Sequence, residues 1–227
     1  MVASYLRNGS PASAALREKR PERRLSPARI EKLMVVAVCL TALLVHIVSR
    51  WPVSHEPGVL VPEVPTQTPP RSPRLIEHAS PYQLTPLADY AIRARVLGTE
   101  HYRFDQVADL VPLDLALGWM SMSDSRILDR IHVFQSVRHF YYWMPGGVLP
   151  AEEAKVSAAN THVIPGDDAI RAELFELKEG DVVRLTGQLV EVTGPKGFTM
   201  RSSLRRDDSG DGACEILYVR SVEREPR

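Results

Sequence analysis

Cysteine is scarce in this chain, whose 227 residues include only Cys39 and Cys214. Because Cys39 lies inside a long apolar run, we expect no disulfide within the domain that carries Cys214. The spacings H-x-x-x-H, C-x-x-C and H-E-x-x-H, which are typical of metal sites, do not occur in the sequence. The sequence therefore predicts no disulfide framework, no structural zinc site and no cofactor.

A net charge is also lacking, since 28 basic side chains balance 28 acidic ones. Their placement is uneven. Residues 1–32 hold 8 basic and 3 acidic side chains, whereas residues 87–227 hold 17 basic and 22 acidic ones. An acidic domain is a poor match for a phosphate backbone, so we expect no nucleic-acid partner. The basic tail and the acidic body are expected to have different surroundings.

Long apolar runs are confined to one segment, LMVVAVCLTALLVHIVS, at residues 33–49. This run predicts a transmembrane helix over residues 33–50, at the short end of the length that crosses a bilayer. A buried core helix, a cleaved signal peptide and a lipoprotein site at Cys39 are the alternatives. Because positive residues tend to stay in the cytoplasm, we expect residues 1–32 to form a basic, disordered cytoplasmic leader.

Proline is concentrated in one segment, since 9 of the 18 prolines lie between residues 52 and 86. Proline fixes φ and lacks a backbone donor, so neither helix nor sheet is expected there. We interpret residues 51–86 as a Pro-rich linker, extended enough to reach ~100 Å. Residues 87–225 then suit one β-rich domain of ordinary size.

Apolar alternation indicates strands in this domain. Residues 89–97 alternate with the period of a half-buried strand. Residues 131–143 are rich in β-branched and aromatic side chains and predict one long strand. On a single strand, His132 and His139 point to opposite faces and cannot bind one metal ion together. Further strands are expected at residues 160–165, 181–192, 198–204 and 213–222.

One helix is expected between these strands. Asp167 is a suitable N-cap, an apolar stripe follows it, and Gly180 is a suitable residue just past the C-terminus. Gly187 in the next strand indicates a bend or bulge. A helix between the third and fourth strands of a small closed barrel is the OB-fold arrangement. The predicted fold class is α+β, mostly β: an N-terminal transmembrane helix plus a small antiparallel OB-like β-barrel with one helix between strands.

Five stretches resemble a family of uncharacterised bacterial single-pass membrane proteins: LDLALGWMSMSD, FQSVRHFYYW, AANTHVIP, GDVVRLTGQLVEV and SSLRRDDSGDGACEILYV. The likeness covers most of residues 88–222. In similar proteins a glycine commonly stands at the position of Met120, and a methionine at that of Thr161. The resemblance implies a compact domain and a bacterial source but no activity. The expected location is thus the bacterial inner (cytoplasmic) membrane, as a single-pass protein with an extracytoplasmic C-terminal domain.

Cys214 is the candidate nucleophile, with His162 as its base and an aspartate to orient the histidine. Reactive thiols need cationic neighbours, but acidic residues outnumber Arg205 and Arg206 near this one. Strand alternation places Cys214 on one face with Ile216, which is typical of a core position. An intermolecular disulfide is a third alternative for a lone cysteine.

The stretch DDSGDG partly matches a calcium-binding loop, with Asp207 and Asp211 as candidate ligands. A complete loop needs a bidentate glutamate at its twelfth position, where this chain has Tyr218. A turn between strands is the alternative, because aspartate and glycine are favoured in turns.

The function expected from the sequence is that of a non-catalytic binding or assembly module of the bacterial envelope, membrane-anchored through residues 33–50 and extracytoplasmic. Its expected partner is another envelope protein. The candidate binding residues are Trp119, Asp124, Arg138, Trp143, Asn160 and His162. The alternative is an uncharacterised envelope hydrolase or thiol enzyme that uses Cys214 and His162.

Overall fold

The structure is a computed structural model that describes residues 26–49, 51–77, 81–208, 210 and 212–226, without the side chains of residues 46 and 49. The chain divides into two compact units, Met1–Val48 and Ser49–Arg227. Residues 1–25 of the predicted leader lie outside the described residues.

Helix α1 spans Pro27–Ser49 and contains the apolar run. It begins where the backbone N–H groups of Arg29 and Ile30 donate to the Ser26 carbonyl oxygen at 2.9 and 3.0 Å. Its described side chains are exposed. Among the helices of the described residues, none combines the length and the apolar character needed to cross a membrane.

The second unit is α+β and mostly β, as the sequence predicts. Three short helices accompany the strands in its described residues: α2 (Ser125–Leu128), α3 (Ala151–Val156) and α4 (Asp168–Phe175). The strands there are β1 (Thr66–Thr68), β2 (Gln83–His101), β3 (Leu113–Gly118), β4 (His132–Ser136), β5 (His139–Trp143), β6 (Ala158–Pro165), β7 (Val182–Thr193), β8 (Thr199–Arg201) and β9 (Glu215–Arg224).

Seven of these strands form one mixed sheet in the order β1-β2-β3-β6-β9-β7-β8. Because β2 also pairs with β7, five strands partly close a ring in the order β2-β3-β6-β9-β7. Neighbours in the ring are antiparallel, except that β6 and β9 are parallel. The sheet is thus mixed, although mostly antiparallel.

Apolar side chains from alternate strand positions fill the inside of the ring: Tyr90, Ile92, Leu115, Leu117, Val163, Leu185, Leu189 and Leu217. Gly187 lies at a β-bulge between β7 and β9, where a Cβ atom would collide with the Tyr218 carbonyl oxygen. The predicted bend or bulge at Gly187 is confirmed, and its reason is the close approach of the two backbones.

Helix α4 confirms the predicted helix between the third and fourth strands of the ring. The Asp167 side chain caps it by accepting a hydrogen bond from the Ile170 backbone N–H at 2.8 Å. The helix ends at Phe175 with Glu176 as its C-cap, so the prediction of Gly180 as the residue just past its C-terminus is wrong. Gly180, with a φ of 88°, lies in a separate turn before β7.

The prediction of one long strand over residues 131–143 is wrong. Strands β4 and β5 form an antiparallel hairpin around Val137 and Arg138, with φ values of 49° and 62°. Tight hairpin turns need positive φ at both central residues, usually asparagine or glycine. This turn has neither, so the sequence carries no turn signal there. In the hairpin register, His132 and His139 share one face of the sheet rather than opposite faces.

Residues 53–76, here called the strap, lie along the second unit. The Val53 N–H donates to the Glu179 carbonyl oxygen at 2.8 Å, and the Ile76 N–H donates to that of Leu84 at 2.9 Å. Between these points, Val61 is fully buried and β1 extends the sheet beside β2. The structure therefore differs here from an extended spacer free of sheet structure, because apolar and hydrogen-bonding groups between the prolines find partners on the domain.

Candidate functional site

A thiol, an imidazole and a carboxylate come together on the outer face of the sheet. Asp114 on β3 lies opposite His162 on β6, which in turn lies beside Ile216 on β9. Cys214 precedes Ile216 by two residues, and strand side chains alternate between faces. The side chains of Asp114, His162 and Cys214 are therefore directed to one face, opposite to the face that fills the ring.

The imidazole links the other two groups. His162 Nδ1 donates to Asp114 Oδ1 at 2.9 Å, and the Cys214 side chain lies close enough to the imidazole to influence its pKa. Asp114 is fully buried, and His162 is 7% exposed. Burial is the largest single influence on the pKa of His162 and lowers it, but the hydrogen bond to Asp114 and the neighbouring Cys214 side chain together raise the pKa to about 9. The imidazole is therefore protonated at neutral pH.

Asn160 is the fourth polar group of this site, after Cys214, His162 and Asp114. Its Nδ2 lies 3.7 Å from Cys214 Sγ and donates to the Arg138 carbonyl oxygen at 3.1 Å. Its Oδ1 accepts from Gln135 Nε2 at 3.1 Å, which fixes the orientation of the amide. An amide N–H held beside a nucleophilic sulfur is suited to stabilise negative charge on an attacked carbonyl oxygen.

Arg138 covers the buried carboxylate from the hairpin turn. Its guanidinium lies 3.4 Å from Asp114 Oδ1 and binds both carboxylate oxygens of Asp105 at 2.7 to 2.9 Å. The guanidinium also lies over the Tyr102 ring, 3.9 Å from its centre. These internal contacts occupy Arg138, and they hold the hairpin against the sheet.

A cavity of about 160 Å³ opens beside the thiol. Its lining includes Cys214, Asn160, Trp119, Glu215 and Arg206. Arg206 forms an ion pair with Glu215 Oε1. Burial raises the pKa of Glu215 to about 7, although the charge of Arg206 acts in the opposite direction. The cavity thus offers aromatic, cationic and acidic groups next to the thiol of Cys214.

The candidate binding residues from the sequence fall into three groups. Asn160 and His162 meet at Cys214, with Arg138 directly above Asp114. Trp119 and Asp124 are only 1% and 4% exposed, so neither offers a surface to a macromolecule. Trp143 is 65% exposed on the far face of the hairpin.

The candidate calcium ligands are not gathered into a site that the structure describes. Asp207 is exposed and pairs with Arg205 at 2.9 Å, while Asp211 lies outside the described residues. Within the described part of the chain, no three histidine, cysteine, aspartate or glutamate side chains are arranged to hold a metal ion.

Sequence reasoning identified Cys214 and His162 but missed Asp114, Gln135 and Glu215 as members of the site. Asp114 lies on β3, a segment that was not predicted to be a strand. A signal was present there, because Leu113, Leu115 and Leu117 alternate with smaller or polar residues. Gln135 lies on β4, and it was missed because the turn between β4 and β5 was not predicted. Nothing in the sequence distinguishes Glu215 from the acidic residues before it.

Comparison of the chain with protein-family models, with curated proteins and with solved structures finds no match.

Proposed function

We propose that this protein is a cysteine-dependent acyl-transfer enzyme, most simply a hydrolase, with Cys214 as nucleophile. The observation that carries the proposal is the buried hydrogen bond between Asp114 and His162, with the Cys214 side chain next to the imidazole and 3.7 Å from Asn160 Nδ2. A nucleophile, a base and a group that orients the base form the arrangement of cysteine and serine hydrolases on unrelated folds.

Each group has a role in this chemistry. The Cys214 thiolate attacks an acyl carbonyl carbon, a carbon–sulfur bond forms, and the carbonyl electron pair moves to oxygen. Asn160 Nδ2 donates to that oxygen. The His162 imidazolium protonates the leaving group as its bond to carbon breaks. His162 then removes a proton from water, which attacks the thioester and releases the acid and the thiolate.

Thiol reactivity tests the proposal. The full chain carrying Cys39→Ser is alkylated with iodoacetamide at pH 7, and the rate at Cys214 is compared with that of the same chain in urea. We expect the folded chain to react at least ten times faster, because folding supplies the imidazolium. His162→Gln and Asp114→Asn should remove most of this excess. His139→Gln is the matched control, because His139 also lines the cavity.

The acyl step has its own readout. With p-nitrophenyl acetate as an activated ester, we expect a burst of one nitrophenolate per chain, which is absent from Cys214→Ser. A folded chain whose thiol reacts more slowly than the unfolded one would show that Cys214 is a packing residue, and the proposal would fail.

We further propose that the domain is an OB-like barrel. The ring order β2-β3-β6-β9-β7 and helix α4 between the third and fourth ring strands support this. We also propose membership of the uncharacterised bacterial single-pass family that the sequence resembles. Met120 supports this, because its φ of 45° lies where glycine is favoured, and similar proteins commonly have glycine there.

We propose in addition that residues 33–50 anchor the protein in the bacterial inner membrane. The N-terminus would then be cytoplasmic and the C-terminal domain extracytoplasmic. An uncharged apolar run after a basic leader supports the orientation. The described side chains of α1 are exposed, including Val38 at 68%. Fractionation that finds the intact chain freely soluble, or a C-terminal fusion reporter that is active only in the cytoplasm, would refute the anchoring.

A non-catalytic binding or assembly module of the envelope is the second candidate function. The observation in its favour is the outer face of the β4–β5 hairpin, where Phe134, Tyr141 and Trp143 are 45%, 44% and 65% exposed. Exposed aromatic side chains are enriched where proteins bind each other.

Aromatic truncation tests this second candidate. The wild-type chain is crosslinked in membranes and isolated after solubilisation in detergent, and the envelope protein captured with it is measured. The double variant Phe134→Ala, Trp143→Ala should no longer capture this protein. Phe104→Ala is the matched control, since Phe104 is 98% exposed but lies outside the hairpin. Cys214→Ser should leave this partner bound while abolishing the acyl step, which separates the two functions.

A further inference from the structure

Two unpaired polar atoms belong to residues that line the cavity beside Cys214. Trp119 Nε1 and Glu215 Oε2 are buried without a hydrogen-bond partner among the described residues. Both residues are 1% exposed. Buried polar atoms are nearly always paired in folded proteins, so a pair of unpaired ones at the same cavity points to a ligand that completes them.

The chemistry of the two atoms restricts that ligand. The indole N–H can only donate, and the second oxygen of the Glu215 carboxylate accepts. A carboxylate ligand would satisfy the indole but would face the charge of Glu215. An ammonium group would satisfy Glu215 but would leave the indole unpaired. An amide supplies both partners, because its carbonyl oxygen accepts and its N–H donates.

We propose that the cavity beside Cys214 recognises an amide group, so that the substrates of the thiol are amides or peptides. This inference rests on the proposed thiol function and names its substrate class. The volume of about 160 Å³ suits a small group of this kind. Phe140 and Tyr142 line the same cavity and offer apolar surface to the rest of the acyl chain.

The position of Glu215 supports an acceptor role. Arg206 forms an ion pair with Glu215 Oε1 and also lies 3.4 Å from the Tyr90 hydroxyl. The second carboxylate oxygen, Oε2, is the one without a hydrogen-bond partner. Because burial raises the pKa of Glu215 to about 7, the carboxylate is the larger population above neutral pH. Amide recognition should accordingly be measured at pH 8.

The test compares two alkylating reagents that differ only in this group. Iodoacetamide carries an amide, iodoacetate carries a carboxylate, and both lose iodide when the sulfur attacks. Rates at Cys214 are measured at pH 8 in the full Cys39→Ser chain, and their ratio is divided by the ratio for the same chain in urea. We expect this normalised preference for iodoacetamide to be at least ten-fold, because only the amide donates to Glu215 Oε2, while the carboxylate of iodoacetate faces the charge of Glu215.

Substitutions of Trp119 and Glu215 test the part that each unpaired atom has in binding the reagents. Trp119→Phe keeps the aromatic ring but removes the N–H, and Glu215→Gln replaces the acceptor by an amide. Glu215→Gln should reduce the preference at least three-fold, because it removes the charge that iodoacetate faces. Trp119→Phe should slow alkylation by both reagents at least three-fold, because either reagent can accept from the indole N–H. Thr161→Val is the matched control, because Thr161 Oγ1 is also buried and unpaired but the residue does not line the cavity. Its preference should equal that of the unsubstituted chain.

The possible results separate this inference from the function on which it rests. Fast alkylation by both reagents without a normalised preference overturns amide recognition and leaves the thiol function standing. The same holds if the preference survives Glu215→Gln. Slow alkylation by both reagents, relative to the unfolded chain, overturns the thiol function and the substrate class together.

Discussion

Protonation of His162 should make the stability of the folded domain depend on pH in a defined window. The pKa of this imidazole is raised from 6.5 to about 9 in the folded state, since the hydrogen bond to Asp114 and the neighbouring Cys214 side chain outweigh burial. A raised pKa stabilises the fold fully below pH 6.5, and this contribution is lost as the pH rises through 9. The difference corresponds to about 3 kcal/mol in the free energy of unfolding.

The assay is urea unfolding of the full chain, followed by tryptophan fluorescence, at intervals between pH 6 and 9.5. We expect the histidine contribution to the free energy of unfolding to fall by about 3 kcal/mol across this range. Glu215 produces a separate decline at lower pH, because burial raises its pKa from 4.5 to about 7. Measurements between pH 7.5 and 9.5 therefore isolate most of the histidine contribution.

The substitution His162→Gln should flatten the curve between pH 7.5 and 9.5, since glutamine does not titrate. His139→Gln should leave the decline in place, because His139 is half-buried at the edge of the cavity and its Nδ1 donates to the Val137 carbonyl oxygen of its own hairpin. A wild-type curve that is flat over this range, or an equal decline in His162→Gln, would show that the buried imidazole is neutral and would remove the basis for its role as an acid.

Two further predictions concern the strap and the turn at Met120. Val61→Ala should lower the free energy of unfolding by about 2 kcal/mol, because Val61 is fully buried in the main core. Val64→Ala, at a position 60% exposed in the same strap, should change it by less than about 0.5 kcal/mol; equal effects would mean that the strap does not pack on the domain. Met120→Gly should raise the free energy of unfolding by about 1 kcal/mol, since a φ of 45° costs about 1–2 kcal/mol without glycine and glycine costs about 0.5–1 kcal/mol in chain entropy. Met120→Ala should show no such gain, and a gain as large as that of glycine would contradict the backbone explanation.

Local patterns determined several elements of this fold directly. The cap at Asp167 and the bulge at Gly187 were predicted, because each depends on the conformational preferences of one or two residues. The strands after helix α4 were found within a few residues of their bounds for the same reason, since β-branched and apolar residues alternate there.

The sequence failed where a local signal was absent or was outweighed by distant contacts. The turn at Val137 and Arg138 lacks the residues that normally allow positive φ, so two strands were predicted as one. The strap is rich in proline, yet Val61 between the prolines is buried against the domain. Its position depends on partners such as Glu179 and Leu84, which the sequence of the strap cannot specify.

In the candidate site, too, some features follow from the sequence and others only from the tertiary structure. The sequence by itself determined that Cys214 and His162 are the side chains with nucleophilic and basic chemistry. Only the tertiary structure decided that they meet, because the register of β3, β6 and β9 brings Asp114, His162 and Cys214 onto one face from positions far apart in the chain. The physical reason is that strand pairing and burial, rather than neighbouring residues, set the surroundings of an ionisable group, and those surroundings give His162 its charge.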